Sequence, residues 1–248
     1  MKKIVISISV ISIMVILTSY RVTMRINADV LSTLGFTKPF ADEQILSNVI
    51  SDLPGWVRPN NWPKILTMSG SEKSAVAQDF CTYIKSYCNS QEFKDKYEAY
   101  RQSQKPSVPQ LTEEEKASQL EMIKQQEEMF SPEILAMLPP EAKANALQSI
   151  EDMKAAANGE LTDAQKSDWE AKIPVDPTVK IKNGLKYFLD ESKDVDYNAT
   201  TFMKDNKKIF TNPDYEEKGY QWKACYRAGK EVSETVRNFA KEWLSEFM

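Results

Sequence analysis

Large rings are spread very unevenly along this 248-residue chain, and that distribution restricts its fold more than any motif does. Between Pro106 and Lys172 stand two aromatics, Phe130 and Trp169, against 23 in the other 181 residues. Rings contribute the most buried area per residue, so the middle stretch can bury little surface for its length. The flanks must supply the core. Charge follows the same division, since the middle stretch carries 14 acidic and 6 basic side chains within a chain of net charge −4. Residues 30–105 and 173–248 are therefore expected to form one discontinuous aromatic helical core, with 106–172 as an acidic helical arm or insertion.

Apolar spacing makes the fold class mainly α, an irregular helical bundle. Ile45, Leu46, Val49, Ile50 and Leu53 recur at helical intervals, and Pro54-Gly55 ends that run. Three prolines with Trp56 and Trp62 make Pro54–Pro63 an ordered loop. Val76, Phe80, Ile84 and Tyr87 mark a second helix, and Phe93, Tyr97 and Tyr100 continue its stripe to Arg101. In the arm, prolines separate helices at about 112–129, 132–138, 140–157 and 162–172. Asp176-Pro177 opens another helix with Ile181, Leu185, Phe188 and Leu189 inward, preferred over a strand because Tyr187-Phe188-Leu189 breaks the alternation at 179–181. Thr200–Met203 and Lys208–Thr211 flank Asp205-Asn206 as one small β-hairpin near 200–211. From Asn212-Pro213 a stripe through Trp222, Tyr226, Val232, Val236, Phe239 and Trp243 predicts a long C-terminal helix of more than about 30 residues.

Lys2 and Lys3 precede an apolar run from Ile4 to Leu17, closed by Thr18, Ser19 and Tyr20. That is the form of a secretory signal, and the run is short against the roughly 20 residues of a membrane span. Residues 1–20 are read as a signal peptide or, if uncut, an N-terminal anchor and the chain's one membrane contact. Tyr20 stands where a bacterial lipoprotein has cysteine. The expected location is exported: periplasm or cell envelope. Cys81, Cys88 and Cys225 cannot all pair within one chain. On one helix Cys81 and Cys88 stand about 10.5 Å apart, beyond the roughly 7 Å a bridge spans. Either Cys225 pairs with one of them, or all three are buried thiols.

The chain has no histidine, which removes His-based triads, Cys–His dyads and His-ligated metal or haem sites. Seven glycines leave no Gly-x-Gly-x-x-Gly and no phosphate-binding P-loop, and the negative balance argues against nucleic acid as a partner. No Ser-x-x-Lys or Gly-x-Ser-x-Gly stretch appears.

Two constellations remain. Trp222 and Tyr226 lie beside Lys223 and Arg227, an aromatic wall with flanking cations suited to a small anionic or sugar-like ligand; Trp56 and Trp62 are further candidate stacking residues. Asp194, Asp196 and Asn198 present oxygens at alternate positions as in a calcium loop, with Ala199 in place of the turn-making glycine. No other cofactor is expected.

Leu161-Thr162-Asp163-Ala164-Gln165 is similar to the Leu-Thr-x-x-Gln pattern of small periplasmic helical stress proteins of the Spy/CpxP type, and Leu111-Thr112-Glu113-Glu114-Glu115 is a looser copy. The resemblance covers about 60 residues and implies an ATP-independent chaperone that holds unfolded clients. The same residues are also what a capped helix start requires. The expected function is non-enzymatic binding or scaffolding in the cell envelope, with a protein or a small anionic or sugar-like ligand as partner. The client-holding chaperone and a carboxylate-based envelope hydrolase are the alternatives.

Overall fold

The structure, a computed structural model, describes residues 30–51, 59–108, 110–205 and 207–247. The signal-type segment and Trp56 lie outside these residues. A helical stretch at 30–34 comes first. It is followed by α1 (Lys38–Ile50), α2 (Trp62–Thr67), α3 (Gly70–Cys88) and α4 (Gln91–Ser103). Next come α5 (Glu113–Met129), α6 (Pro132–Met137), α7 (Pro140–Ala157), α8 (Asp163–Lys172) and α9 (Thr178–Glu191). The chain then forms strands β1 (Thr201–Lys204) and β2 (Lys207–Phe210), a 3-10 turn at Pro213–Tyr215, α10 (Tyr220–Ala228) and α11 (Lys230–Ser245). The fold is mainly helical with one small antiparallel sheet, as the spacing predicts. Among the described residues no helix is long and apolar enough to cross a membrane.

The described residues divide into two compact units, one drawn from Met1–Tyr97 and Pro177–Met248, the other Glu98–Asp176. In the first unit α3 packs along α11, α9 packs on α11 and α1, and α10 adjoins α9 and α11. A capping box starts α3: the Glu72 N–H donates to Ser69 Oγ at 3.2 Å and the Ser69 N–H to the Glu72 carboxylate at 2.7 Å. Rings fill the interior. Phe93 is edge-on to Tyr87 and stacked on Tyr97, with both Phe93 and Tyr97 fully enclosed. Among them sits a buried carboxylate, Asp42, which accepts from the Tyr83 hydroxyl and the Lys38 ammonium, so the charge is not left alone.

In the second unit α5 packs on α7 through Ile123, Ile150 and Ala157, with Phe130 and Met153 at the margin. Capping boxes at Thr112 and Thr162 open α5 and α8. The division between units falls inside α4 rather than at Pro106. Just past that division Arg101 is buried, with its guanidinium 4.0 Å from the Trp169 ring centre. The Arg101 Nε–H donates to the Ile173 carbonyl at 3.2 Å, and the Trp169 indole N–H donates to the Arg101 carbonyl at 3.2 Å. The last turn of α4 thus belongs to the acidic unit through the one tryptophan that unit contains.

Two expectations are corrected. Trp62 and Pro63, expected at the end of the loop, open helix α2 instead, because Pro63 falls in its first turn, where its missing N–H costs nothing. The long C-terminal helix is two helices. Gly229 has φ +89° and ψ 163°, a conformation essentially reserved for glycine, and the axis breaks there. The Cys225 carbonyl at the break accepts from the Gly229 N–H at 3.1 Å and the buried Ser233 hydroxyl at 2.8 Å. Apolar periodicity continues through the break because both helices bury the same kind of face.

Candidate functional site: an apolar cavity in the aromatic unit

Four helices of the first unit, α1, α3, α9 and α11, each turn an apolar stripe inward, and the stripes do not close completely. Between them lies a cavity of about 420 Å³. Ile45 of α1, Ile84 of α3, Phe188 of α9, and Phe239 and Trp243 of α11 form its walls. The Cys81 and Cys88 thiols also face it from α3. Polar groups are few: Asn48, Ser51, Lys180, Asn183 and Tyr187 lie along its lining. This volume and mostly apolar lining with scattered polar groups match the usual form of a small-molecule site.

All three cysteines are free thiols. Burial pushes the Cys81 and Cys88 thiols up to about 12, and that of Cys225 upward too, where Ser233 and Arg237 oppose the shift. At neutral pH all three are protonated and not nucleophiles, and Cys81 and Cys88 serve as apolar wall groups.

Trp222 and Tyr226 do come together, but as packing. Trp222 is 2% exposed, enclosed by Phe210, Tyr215 and Tyr226 at ring distances of 5.7, 5.0 and 6.0 Å. Its indole N–H donates to the Asp194 carbonyl at 3.1 Å, and the Tyr226 hydroxyl donates to the Ala199 carbonyl at 2.7 Å. Trp222 at the centre of the ring wall is internal and has no open face for stacking a sugar, while Tyr226 is half-buried. Lys223 donates to the Glu216 carbonyl at 2.6 Å, while Arg227 is exposed. Trp62 is half-buried at the start of α2.

At the calcium-type loop, both Asp196 oxygens are engaged: one accepts from the Asn198 N–H and one from the Tyr215 hydroxyl, each at 2.9 Å. The Tyr215 phenol is raised by that carboxylate. Asp194 is left-handed at φ +56° and exposed, as is Asn198. The loop acts as a strap across the ring cluster. Among the described residues no group of three or more Cys, Asp or Glu is placed to hold a metal ion.

Glu72, Glu92, Glu115 and Glu133 are each held below the usual carboxylate range, by helix-start hydrogen bonds or, at Glu92, by Lys96 and Lys38. A general acid needs the opposite shift.

The sequence contains each wall of the cavity as an inward stripe. The missing information is how far four stripes stand apart, which is set by side-chain volumes on all four at once. Compared with protein-family models, with curated proteins and with solved structures, the chain matches none.

Proposed function

We propose that this chain is an exported, non-enzymatic binding protein of the cell envelope, and that its ligand is a small, mostly apolar molecule taken up between α1, α3, α9 and α11. One observation carries the reading: an apolar cavity of about 420 Å³ within a unit whose other ring clusters are tightly packed. Burying an apolar ligand surface against such walls is favourable at about 25 cal/mol per Å², and the few polar groups give orientation. The signal-type N-terminus supports the compartment.

The test uses the full chain and N-phenyl-1-naphthylamine as an apolar fluorescent probe. Saturable enhancement at one probe per chain is expected, with Val236→Phe and Leu185→Phe, which narrow the cavity, weakening it at least tenfold. Circular dichroism verifies that both variants stay helical. Absence of saturable binding, or equal binding by folded variants, defeats the proposal.

The client-holding reading has one observation of its own. On the acidic unit Met122, Met129 and Met137 are 51%, 61% and 84% exposed, and methionine suits adaptable apolar contacts. Suppression of aggregation of a denatured protein by the purified chain tests it, and inactivity removes it.

A further inference from the structure

The β-hairpin is anchored at one end and projects at the other. At its base Phe210 is buried, 4.8 Å from the Tyr226 ring and 5.7 Å from Trp222, and the Thr211 N–H donates to the Thr200 carbonyl at 2.8 Å. Toward the tip the large apolar side chains stand open to solvent: Phe202 is 49% and Met203 61% exposed. The register pairs Phe202 with Ile209, Met203 with Lys208, and Lys204 with Lys207. Alternation therefore places Phe202, Ile209, Lys204 and Lys207 on one face, and Met203 and Lys208 on the other.

The pairing of Lys204 with Lys207 is the informative detail. Like charges directly opposite each other weaken a hairpin, and a two-stranded hairpin has little stability to spare. Asp205 is the single acidic residue between Thr200 and Thr211, and it occupies the turn at φ +48°. Among the described residues no ion pair joins Lys204, Lys207 or Lys208 to a carboxylate, whereas most other lysine pairs in the molecule are neighbours on a helix. The tip thus combines unpaired positive charge with two large apolar side chains on an anchored base.

We infer that the hairpin tip is a contact for an anionic membrane surface: Phe202 and Met203 enter the headgroup boundary, while Lys204, Lys207 and Lys208 meet acidic lipid headgroups. Exposed apolar groups among lysines are the chemistry of interfacial binding, and each lysine near an anionic surface adds attraction. A purely polyanionic chain satisfies the lysines but leaves Phe202 and Met203 in water, whereas a bilayer offers anionic headgroups with an apolar layer beneath them. The inference stands on the hairpin and not on the cavity. It adds a second membrane contact to the one expected of the N-terminal segment.

The experiment places a reporter at the tip of the full chain, Phe202→Trp, read as the difference from the parent chain with its five tryptophans, and adds vesicles of phosphatidylcholine alone or mixed with phosphatidylglycerol. The expected result is a shift of emission to shorter wavelength on mixed vesicles only, reversed by about 1 M salt. The variant Lys204→Glu/Lys207→Glu/Lys208→Glu in the same background, which keeps the N-terminal segment, is expected to lose about a hundredfold in the vesicle concentration needed. A shift that is equal on neutral vesicles, one that survives charge reversal, or the absence of any shift overturns the inference. An equal shift on soluble polyglutamate in the absence of vesicles likewise overturns it in favour of an acidic protein partner.

Discussion

Replacing Arg101 by methionine keeps most of the buried stem and removes only the guanidinium, so the loss isolates what that group does. The guanidinium lies 4.0 Å from the Trp169 ring centre with 7% of the side chain exposed, and a desolvated contact of this kind contributes about 1–2 kcal/mol. The charged Nε–H bond to the Ile173 carbonyl at 3.2 Å contributes about 1.5–2 kcal/mol more. The ion pairs with Glu98 and Glu170, at 3.5 and 3.7 Å, involve carboxylates that are about half exposed and add at most a few tenths of a kcal/mol. The expected cost is therefore about 3–4 kcal/mol, concentrated in Glu98–Asp176. Hydrogen exchange read by mass spectrometry measures it by location. Peptides from α5, α7 and α8 should lose between two and three orders of magnitude of protection, while those from α3 and α11 keep theirs. Arg101→Lys is the decisive control, because it restores the charge without the planar stacking surface or the Nε donor. It should behave almost as Met does. If Lys protects like Arg, the two ion pairs carry the energy and the reasoning from stacking is refuted.

Two helical-looking glycines should respond in opposite directions to alanine. At Gly184, within α9, an added Cβ meets nothing within 4 Å, so Gly184→Ala should raise stability by about 1 kcal/mol in urea denaturation. At Gly229 the same open space is irrelevant, because φ +89° excludes an L side chain, and Gly229→Ala should cost about 1–3 kcal/mol. Alkaline pH should destabilise the fold. Cys81 and Cys88 are raised from 9.0 to about 12, and Tyr83 and Tyr87 lie above 10, all through burial first, so the stability they contribute is full below about pH 9 and drains as pH climbs toward 12. A urea midpoint lower at pH 10.5 than at pH 7, with slow native thiol labelling at pH 8, checks this; immediate stoichiometric labelling of Cys88 contradicts it. Thr112→Ala should lower helicity and cost about 1 kcal/mol by removing the α5 capping box. The partner Glu115, held low by the Thr112 N–H, makes that contribution present above about pH 4.5 and lost as pH falls through its depressed value.

Local chemistry was legible wherever a few neighbouring residues decide the outcome. The helix starts at Thr112 and Thr162 follow from a capping side chain and its partner three residues on, and both form the reciprocal bonds. The hairpin around Asp205 follows from its turn residues. The break at Gly229 was not legible, since an apolar stripe continues across it and glycine in a helical pattern has no spelling that separates a tolerated residue, as at Gly184, from a required one. The aromatic–basic constellation at Trp222 shows the same limit: spacing grouped the rings correctly, but burial of Trp222 to 2% came from the hairpin and the 194–199 strap lying over it.

By itself the sequence determined a mainly helical chain, the capped helix starts at Thr112 and Thr162 and the hairpin near 200–211, because these depend on interactions within a few residues. The tertiary structure alone decided that the end of α4 joins the acidic unit through Arg101, that Trp222 is core, and that four inward stripes leave about 420 Å³ between them. Each of those outcomes depends on distances between segments far apart in the chain, and no local pattern encodes how completely distant surfaces fill the space they share.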